Sequence, residues 1–133
     1  MITYLTKFVV TFLIFLGIDG VWLGLIAKNF YSKTIGHLLA DKANLLAALV
    51  FYVFYVIGIV IFAINPALKE KSPTLAIQLG AFLGFIAYAT YDLTNLATLK
   101  NWPVHVTIID IIWGTFLTGS VSFLSYLLLT KIK

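Results

Sequence analysis

Residues 43–64 read ANLLAALVFYVFYVIGIVIFAI and carry no charged side chain. An α-helix rises about 1.5 Å per residue, so about 20 residues cross the roughly 30 Å hydrocarbon core of a bilayer. Inside that core the backbone has to satisfy its own hydrogen bonds, and an apolar run of this length is therefore a helix. The stretch predicts a membrane-spanning helix.

Similar apolar runs lie on both sides of it, at about residues 8–27, 74–99 and 104–130. Turns that contain proline separate the second run from the third and the third from the fourth, because proline is tolerated in the first turn of a helix but not in its interior. These turns are Asn65-Pro66, Ser72-Pro73 and Asn101-Trp102-Pro103. We predict an all-α fold, an integral membrane bundle of four transmembrane helices that forms a single domain over residues 1–133.

The composition excludes several classes of protein. Hydrophobic residues make up 62% and charged residues 11% of the chain, against about 45–50% and about 25% in soluble domains. Cysteine is absent, so no disulfide framework or thiolate metal site is expected. The nine basic residues are all lysines scattered along the chain, which argues against nucleic acid as a partner. A net charge of +4 suits anionic headgroups, and membrane lipids are the expected partners.

The first run is expected to be a retained helix rather than a signal peptide, because its apolar core is too long and contains Asp19. The connection that follows, residues 28–42, mixes lysines with Phe30, Tyr31 and leucines. That mixture suits either a short amphipathic helix in the membrane interface or an ordinary loop with a few anchoring side chains.

Three of the five acidic residues, Asp19, Asp92 and Asp110, lie inside the apolar runs. An aspartate at the centre of a membrane helix costs about 2.5–3.5 kcal/mol, so the three side chains should face the interior of the bundle. Successive spans cross in opposite directions. Counting at about 1.5 Å per residue puts the three carboxyl groups about 10–13 Å from the same membrane face. They are therefore predicted to form one cluster.

Polar and aromatic side chains fall at the same depth. Two tryptophans each follow an aspartate by three residues, and a tyrosine and an asparagine share the helical face of Asp92. The predicted binding residues are Asp19, Trp22, Tyr88, Asp92, Asn95, Asp110 and Trp113. With only two histidines in the chain, no metal site is predicted. The sequence indicates neither a cofactor nor a catalytic residue.

The charge of the cluster can be offset in three ways. Lysines can reach inward from the rim, one or more aspartates can be protonated, or the carboxylates can hold a cation. A structural role is the alternative, in which the aspartates hydrogen-bond tryptophan, tyrosine or backbone groups and fix the packing.

Small residues recur at a spacing of four, which lets membrane helices approach closely. The positions are the Gly-x-x-x-Gly pairs Gly20/Gly24 and Gly80/Gly84 and the stripe Gly114, Thr118 and Ser122. We expect these surfaces to be seams inside the bundle. The alternative is a contact face between the two copies of a homodimer.

Four segments resemble a known family of small predicted bacterial membrane proteins, domain-of-unknown-function family 2177. They are Asp19-Gly-Val-Trp22-Leu-Gly24, Phe30-Tyr31, Tyr88-Ala-Thr-Tyr91-Asp92-Leu-Thr-Asn95 and Asp110-Ile-Ile-Trp113-Gly114. The resemblance covers nearly the whole chain. It implies four helices and a bacterial inner-membrane location, and it implies no activity.

Three functions are compatible with these features. The first is a carrier that binds or transports a cation, a proton or a small molecule at the three aspartates, with Asn95 as a neutral ligand. The second is a membrane enzyme, or an enzyme subunit, acting on a lipid or isoprenoid, in which Asp92 and Asp110 share a proton as a dyad. The third is a non-catalytic assembly partner whose acids pair with basic groups of another membrane protein. We place the carrier first.

Overall fold

The computed structural model describes residues 2–132; Met1 and Lys133 lie outside the described residues. Four long helices make up most of this range, and each is long and apolar enough to cross a membrane. They are α1 (Tyr4–Leu38), α2 (Leu45–Glu70), α3 (Pro73–Thr98) and α4 (Val104–Ile132). The predicted fold class, an all-α bundle of four candidate transmembrane helices, is confirmed.

Local sequence signals set where the helices begin. The side chains of Thr3, Asn44 and Ser72 each accept a hydrogen bond from the backbone N–H three residues later, at the starts of α1, α2 and α3. Such caps satisfy backbone donors that a helix start leaves without a partner. Lys71 and Asn101 have left-handed backbone conformations, with φ of 53° and 62°, and they turn the chain into α3 and α4.

Helix α1 extends well beyond the predicted span of residues 8–27. Its α-helical part Tyr4–Val21 passes into a π-helical turn, Trp22–Ala27, and then into a second α-helical part, Lys28–Ile35. A 3-10 turn over Gly36–Leu38 ends it. The connection left open between an interfacial helix and a loop is therefore helical as far as residue 38 and continuous with the first span.

Helices α3 and α4 form the closest pair, and glycines make that approach feasible. A methyl group added at Gly80 would overlap Ser122, and one added at Gly84 would overlap the backbone of Gly114 and the side chain of Thr118. Each helix fits its small residues against those of the other, so the predicted internal seam is confirmed here.

The same prediction is wrong for α1. A methyl group added at Gly20 or Gly24 would meet nothing within 4 Å, and both glycines are exposed. The buried side of α1 instead carries Phe15, which packs with Val56 of α2 and Leu117 of α4 in the main hydrophobic core. Whether the exposed glycines meet a second copy of the chain stays a prediction.

Candidate functional site

Asp19 lies near the end of the first α-helical part of α1 and is only 6% exposed. Its carboxylate accepts hydrogen bonds from the hydroxyl of Tyr52 on α2, at 3.0 Å, and from the indole Nε1 of Trp113 on α4, at 3.4 Å. Both donors are neutral. The two bonds orient the carboxyl group, and neither of them supplies a cationic partner.

The two Asp-x-x-Trp segments meet at this site. The indole rings of Trp22 and Trp113 stack nearly parallel, with centroids 4.4 Å apart and planes 11° from each other. Each ring lies three residues beyond its aspartate, so the stack joins α1 to α4 beside the carboxyl groups. Stacked aromatic rings are held by their large buried area and by a specific geometry, and this contact forms one wall of the site.

Asp110 on α4 is also 6% exposed. Its Oδ1 accepts a hydrogen bond from the hydroxyl of Tyr31. Tyr31 belongs to the second α-helical part of α1, Lys28–Ile35, which lies beyond the span predicted from hydrophobicity. The part of α1 past Ala27 therefore contributes directly to the carboxylate cluster.

The π-helical turn explains how Tyr31 reaches the interior. Tyr31 follows Asp19 by 12 residues, and at about 100° per residue an uninterrupted α-helix would turn it about 120° away from the Asp19 face. A π turn accommodates one additional residue, so the rotation corresponds to about 11 α-helical steps, which leaves only about 20°. Asp19 and Tyr31 thus share the inward face because the π turn Trp22–Ala27 separates them.

Asp92 on α3 is completely buried, at 0% exposure. Neither of its carboxylate oxygens has a hydrogen-bond partner among residues 2–132. Its backbone carbonyl accepts a bond from the Thr107 hydroxyl at 3.4 Å, and that hydroxyl accepts one from Trp102 Nε1 at 3.0 Å. These bonds fix the height of Asp92 against the start of α4.

Asp110 follows Thr107 by three residues, on the same face of α4. Helical side chains lean toward the N-terminus of their helix, so the Asp110 side chain leans back toward the level at which Thr107 meets Asp92. The two carboxyl groups are close enough to hydrogen-bond to each other when one of them is protonated. Asp92 and Asp110 are therefore a pair.

A cleft with a volume of about 200 Å³ opens between the helices at Asp19. Aromatic rings from all four helices form most of its wall, and Asp19 is its charged group. The lining residues are Asp19, Trp22, Leu23, Tyr31, Ala48, Phe51, Tyr52, Tyr88 and Trp113. A neighbouring groove of about 330 Å³ shares Phe51 and Tyr88 with the cleft and continues over Ala87 and Tyr91. The groove is lined almost entirely by apolar atoms.

The predicted site residues fall into three groups. Asp19, Trp22, Tyr88 and Trp113 line the cleft. Asp92 and Asp110 form the buried pair beside it. Asn95 is half-buried and its side chain lies near Tyr91. Within residues 2–132, the Asn95 side chain makes no hydrogen bond to a carboxyl group. A role for any of these residues in binding stays a prediction.

Sequence reasoning missed Tyr31 and Tyr52, which donate hydrogen bonds to Asp110 and Asp19. Tyr31 could have been identified as a candidate, since Phe30-Tyr31 is one of the four segments that resemble the family. Tyr52 could not be identified in this way, because nearly every residue around it is apolar and no polar pattern shows which face of the helix points inward.

Comparison with known proteins agrees with the resemblance seen in the sequence. A family model described as predicted membrane protein (DUF2177) matches residues 4–127, nearly the whole chain. No curated protein and no solved structure matches the chain.

Proposed function

The chain belongs to the DUF2177 family of predicted membrane proteins, and on that premise we propose that it is a carrier that binds a lipophilic organic cation in the cleft around Asp19. One observation carries the proposal: a buried carboxylate with only neutral hydrogen-bond donors stands in a wall of aromatic rings. The bacterial inner membrane as its location is part of the proposal.

An organic cation matches this chemistry on two counts. The face of an aromatic ring is electron-rich and attracts cations, most strongly when both are removed from water, and quaternary ammonium groups are held in this way by aromatic cages. The carboxylate of Asp19 supplies the opposite charge. Tyr52 and Trp113 hold this carboxylate in place. Because both donors are neutral, the negative charge of Asp19 stays available to the ligand.

The neighbouring groove defines the rest of the ligand. A cavity of about 200 Å³ is small for a binding site, since drug-sized ligands occupy about 300–1,000 Å³. The cleft therefore suits a compact cationic head. The groove along Phe51, Ala87, Tyr88 and Tyr91 suits an apolar substituent attached to that head.

Benzyltrimethylammonium is a suitable probe, because it joins a compact quaternary head to one apolar ring. We expect it to bind the protein in lipid nanodiscs, seen by calorimetry and by a change in the fluorescence of Trp22 and Trp113. Tetramethylammonium, the head alone, should bind more weakly. Neopentylbenzene, which has the same shape without the charge, should show no saturable binding.

Asp19→Asn keeps the shape of the side chain and removes its charge. We expect it to weaken benzyltrimethylammonium binding by about tenfold or more, because a bond to a charged group contributes about 1.5–3 kcal/mol and each 1.4 kcal/mol is about tenfold in affinity. The matched control is Asp41→Asn, since Asp41 is exposed on the connection after α1 and should bind as the wild type does. Equal affinity in Asp19→Asn, or saturable binding of neopentylbenzene, would show that the charge is not recognised.

Transport is tested separately in proteoliposomes. Wild-type protein should accumulate benzyltrimethylammonium when a proton gradient is imposed, and Asp19→Asn protein should not. Binding without flux would reduce the proposal to a cation-binding protein. The enzyme and assembly-partner hypotheses stay predictions, and turnover of an added lipid or co-purification of a larger complex would favour them.

A further inference from the structure

Among residues 2–132, Asp92 is the one fully buried ionisable side chain that lies outside the cleft around Asp19. It is 0% exposed, and neither carboxylate oxygen has a donor among residues 2–132. An isolated ionised carboxylate cannot be kept in an apolar interior, and such a group takes up a proton or pairs with a cation instead. Asp92 therefore requires a bound positive species.

The surroundings restrict what that species is. The ionisable side chains that interact electrostatically with Asp92 are Tyr31 from α1, Tyr91 beside it on α3 and Asp110 from α4, and none of them carries positive charge. Lys28 and Lys100, the lysines at the rim on this side of the bundle, are both exposed. No side chain described at the pair supplies a cation.

A divalent metal ion does not fit the donor set. Calcium takes about six to eight oxygen ligands, and no group of three or more histidine, cysteine, aspartate or glutamate residues within residues 2–132 could hold a metal ion. Two facing carboxyl groups suit a proton, which needs one oxygen as its donor and one as its acceptor. Two carboxyl groups at short distance cannot both be ionised, and in proteins such a pair shares one proton.

Asp110 is arranged to be the partner in such a pair. Tyr31 donates to its Oδ1, which leaves Oδ2 available to face Asp92. A single proton between the two carboxyl groups would give Asp92 the hydrogen bond that it lacks. The Tyr31 hydroxyl would then stabilise the remaining negative charge on Asp110, because a donor to a charged acceptor makes a strong hydrogen bond.

We propose that Asp92 and Asp110 form a proton-binding site that holds one proton between them at neutral pH, and that Tyr31 joins this site to the Asp19 cleft. Within the described range, Tyr31 is the one residue that both lines the cleft and hydrogen-bonds the pair. At rest the Tyr31 hydroxyl donates to Asp110, so in a transfer step it would first rotate to donate into the cleft. Asp110, having taken the shared proton, would then give it to the Tyr31 oxygen while the hydroxyl proton of Tyr31 passes to a carboxylate in the cleft, that of Asp19. One proton moves and Tyr31 is regenerated.

The site does not depend on organic-cation binding and is tested without a ligand. Infrared spectra of the wild-type protein in nanodiscs at pH 7 should contain the carbonyl band of one protonated carboxyl group per chain. Labelling aspartate with ¹³C should move that band, which assigns it to an aspartate without any substitution. A wild-type spectrum without such a band would overturn the proposal whether or not benzyltrimethylammonium binds.

Substitutions then locate the proton. Asp92→Asn offers an amide donor to Asp110 in place of the shared proton, so the band should disappear and the protein should melt at no lower a temperature than the wild type. Asp19→Asn should keep the band, and Tyr31→Phe should shift its frequency without removing it. A band that survives Asp92→Asn and is lost in Asp19→Asn would place the proton in the cleft and contradict the proposal.

Discussion

Replacing Gly84 with alanine is expected to lower the free energy of unfolding by about 3 kcal/mol or more, at the upper end of the cost of overpacking a well-packed interior. The added methyl group would overlap the backbone carbonyl oxygen of Gly114 and the side chain of Thr118. A side chain can rotate away from such an overlap, but a backbone carbonyl in a helix cannot. The α3–α4 pair would have to separate along its length.

Gly24→Ala is the matched control, because the same chemical change is made in open space. Alanine is favoured over glycine in a helix by about 0.5–1 kcal/mol, so this variant should be as stable as the wild type or slightly more stable. Both variants are compared by thermal unfolding in the same detergent. Similar melting temperatures for the two would mean that α3 and α4 do not meet at Gly84.

The contrast between these glycines shows what the sequence could and could not predict about packing. Gly20/Gly24 and Gly80/Gly84 have the same spacing inside apolar runs, so both pairs predict close packing of helices. Which face of a helix meets a neighbour depends on the other three helices. In α1 the large core residue Phe15 and the carboxylate of Asp19 determine the inward side, and the glycines are left outside.

The candidate site likewise has residues that could be predicted from the sequence and one that could not. Counting residues placed Asp19, Asp92 and Asp110 at one depth in the membrane. This was possible because the rise of an α-helix per residue is known and the sequence shows where the turns lie. Tyr31 could not be found by counting, since a period of 3.6 residues fails across the π turn. The residues of Trp22–Ala27 do not announce that turn, since all but Gly24 are ordinary in an α-helix and a single glycine does not specify a π turn.

Deleting Leu25 is expected to be tolerated, whereas deleting Asn29, four residues later in the same helix, is expected to cost about 3 kcal/mol or more. Leu25 is 75% exposed and lies inside the π turn; its removal takes out the additional residue and restores a regular α-helix with Tyr31 still facing inward. Asn29 is also exposed but lies in an α-helical part. Its removal rotates the following residues by about 100°.

That rotation would remove two stabilising contacts. Tyr31 would lose its hydrogen bond to Asp110, at about 1.5 kcal/mol for a bond to a charged group. Ile35, buried against Trp102 and Val106, would be turned outward, at about 1.5–3 kcal/mol for a side chain of its size. Melting temperatures of the two deletion variants in one detergent compare these costs directly.

Combining each deletion with Tyr31→Phe isolates the geometric cause, since a double-mutant cycle reports only the interaction that the two changes share. In the wild type and in the Leu25 deletion, loss of the Tyr31 hydroxyl should be destabilising by a similar amount. In the Asn29 deletion it should cost nothing, because the hydroxyl no longer reaches Asp110. If Tyr31→Phe had the same effect in both deletion variants, the inward position of Tyr31 would not depend on the π turn, and flexibility of the Lys28–Ile35 part would have to account for the contact.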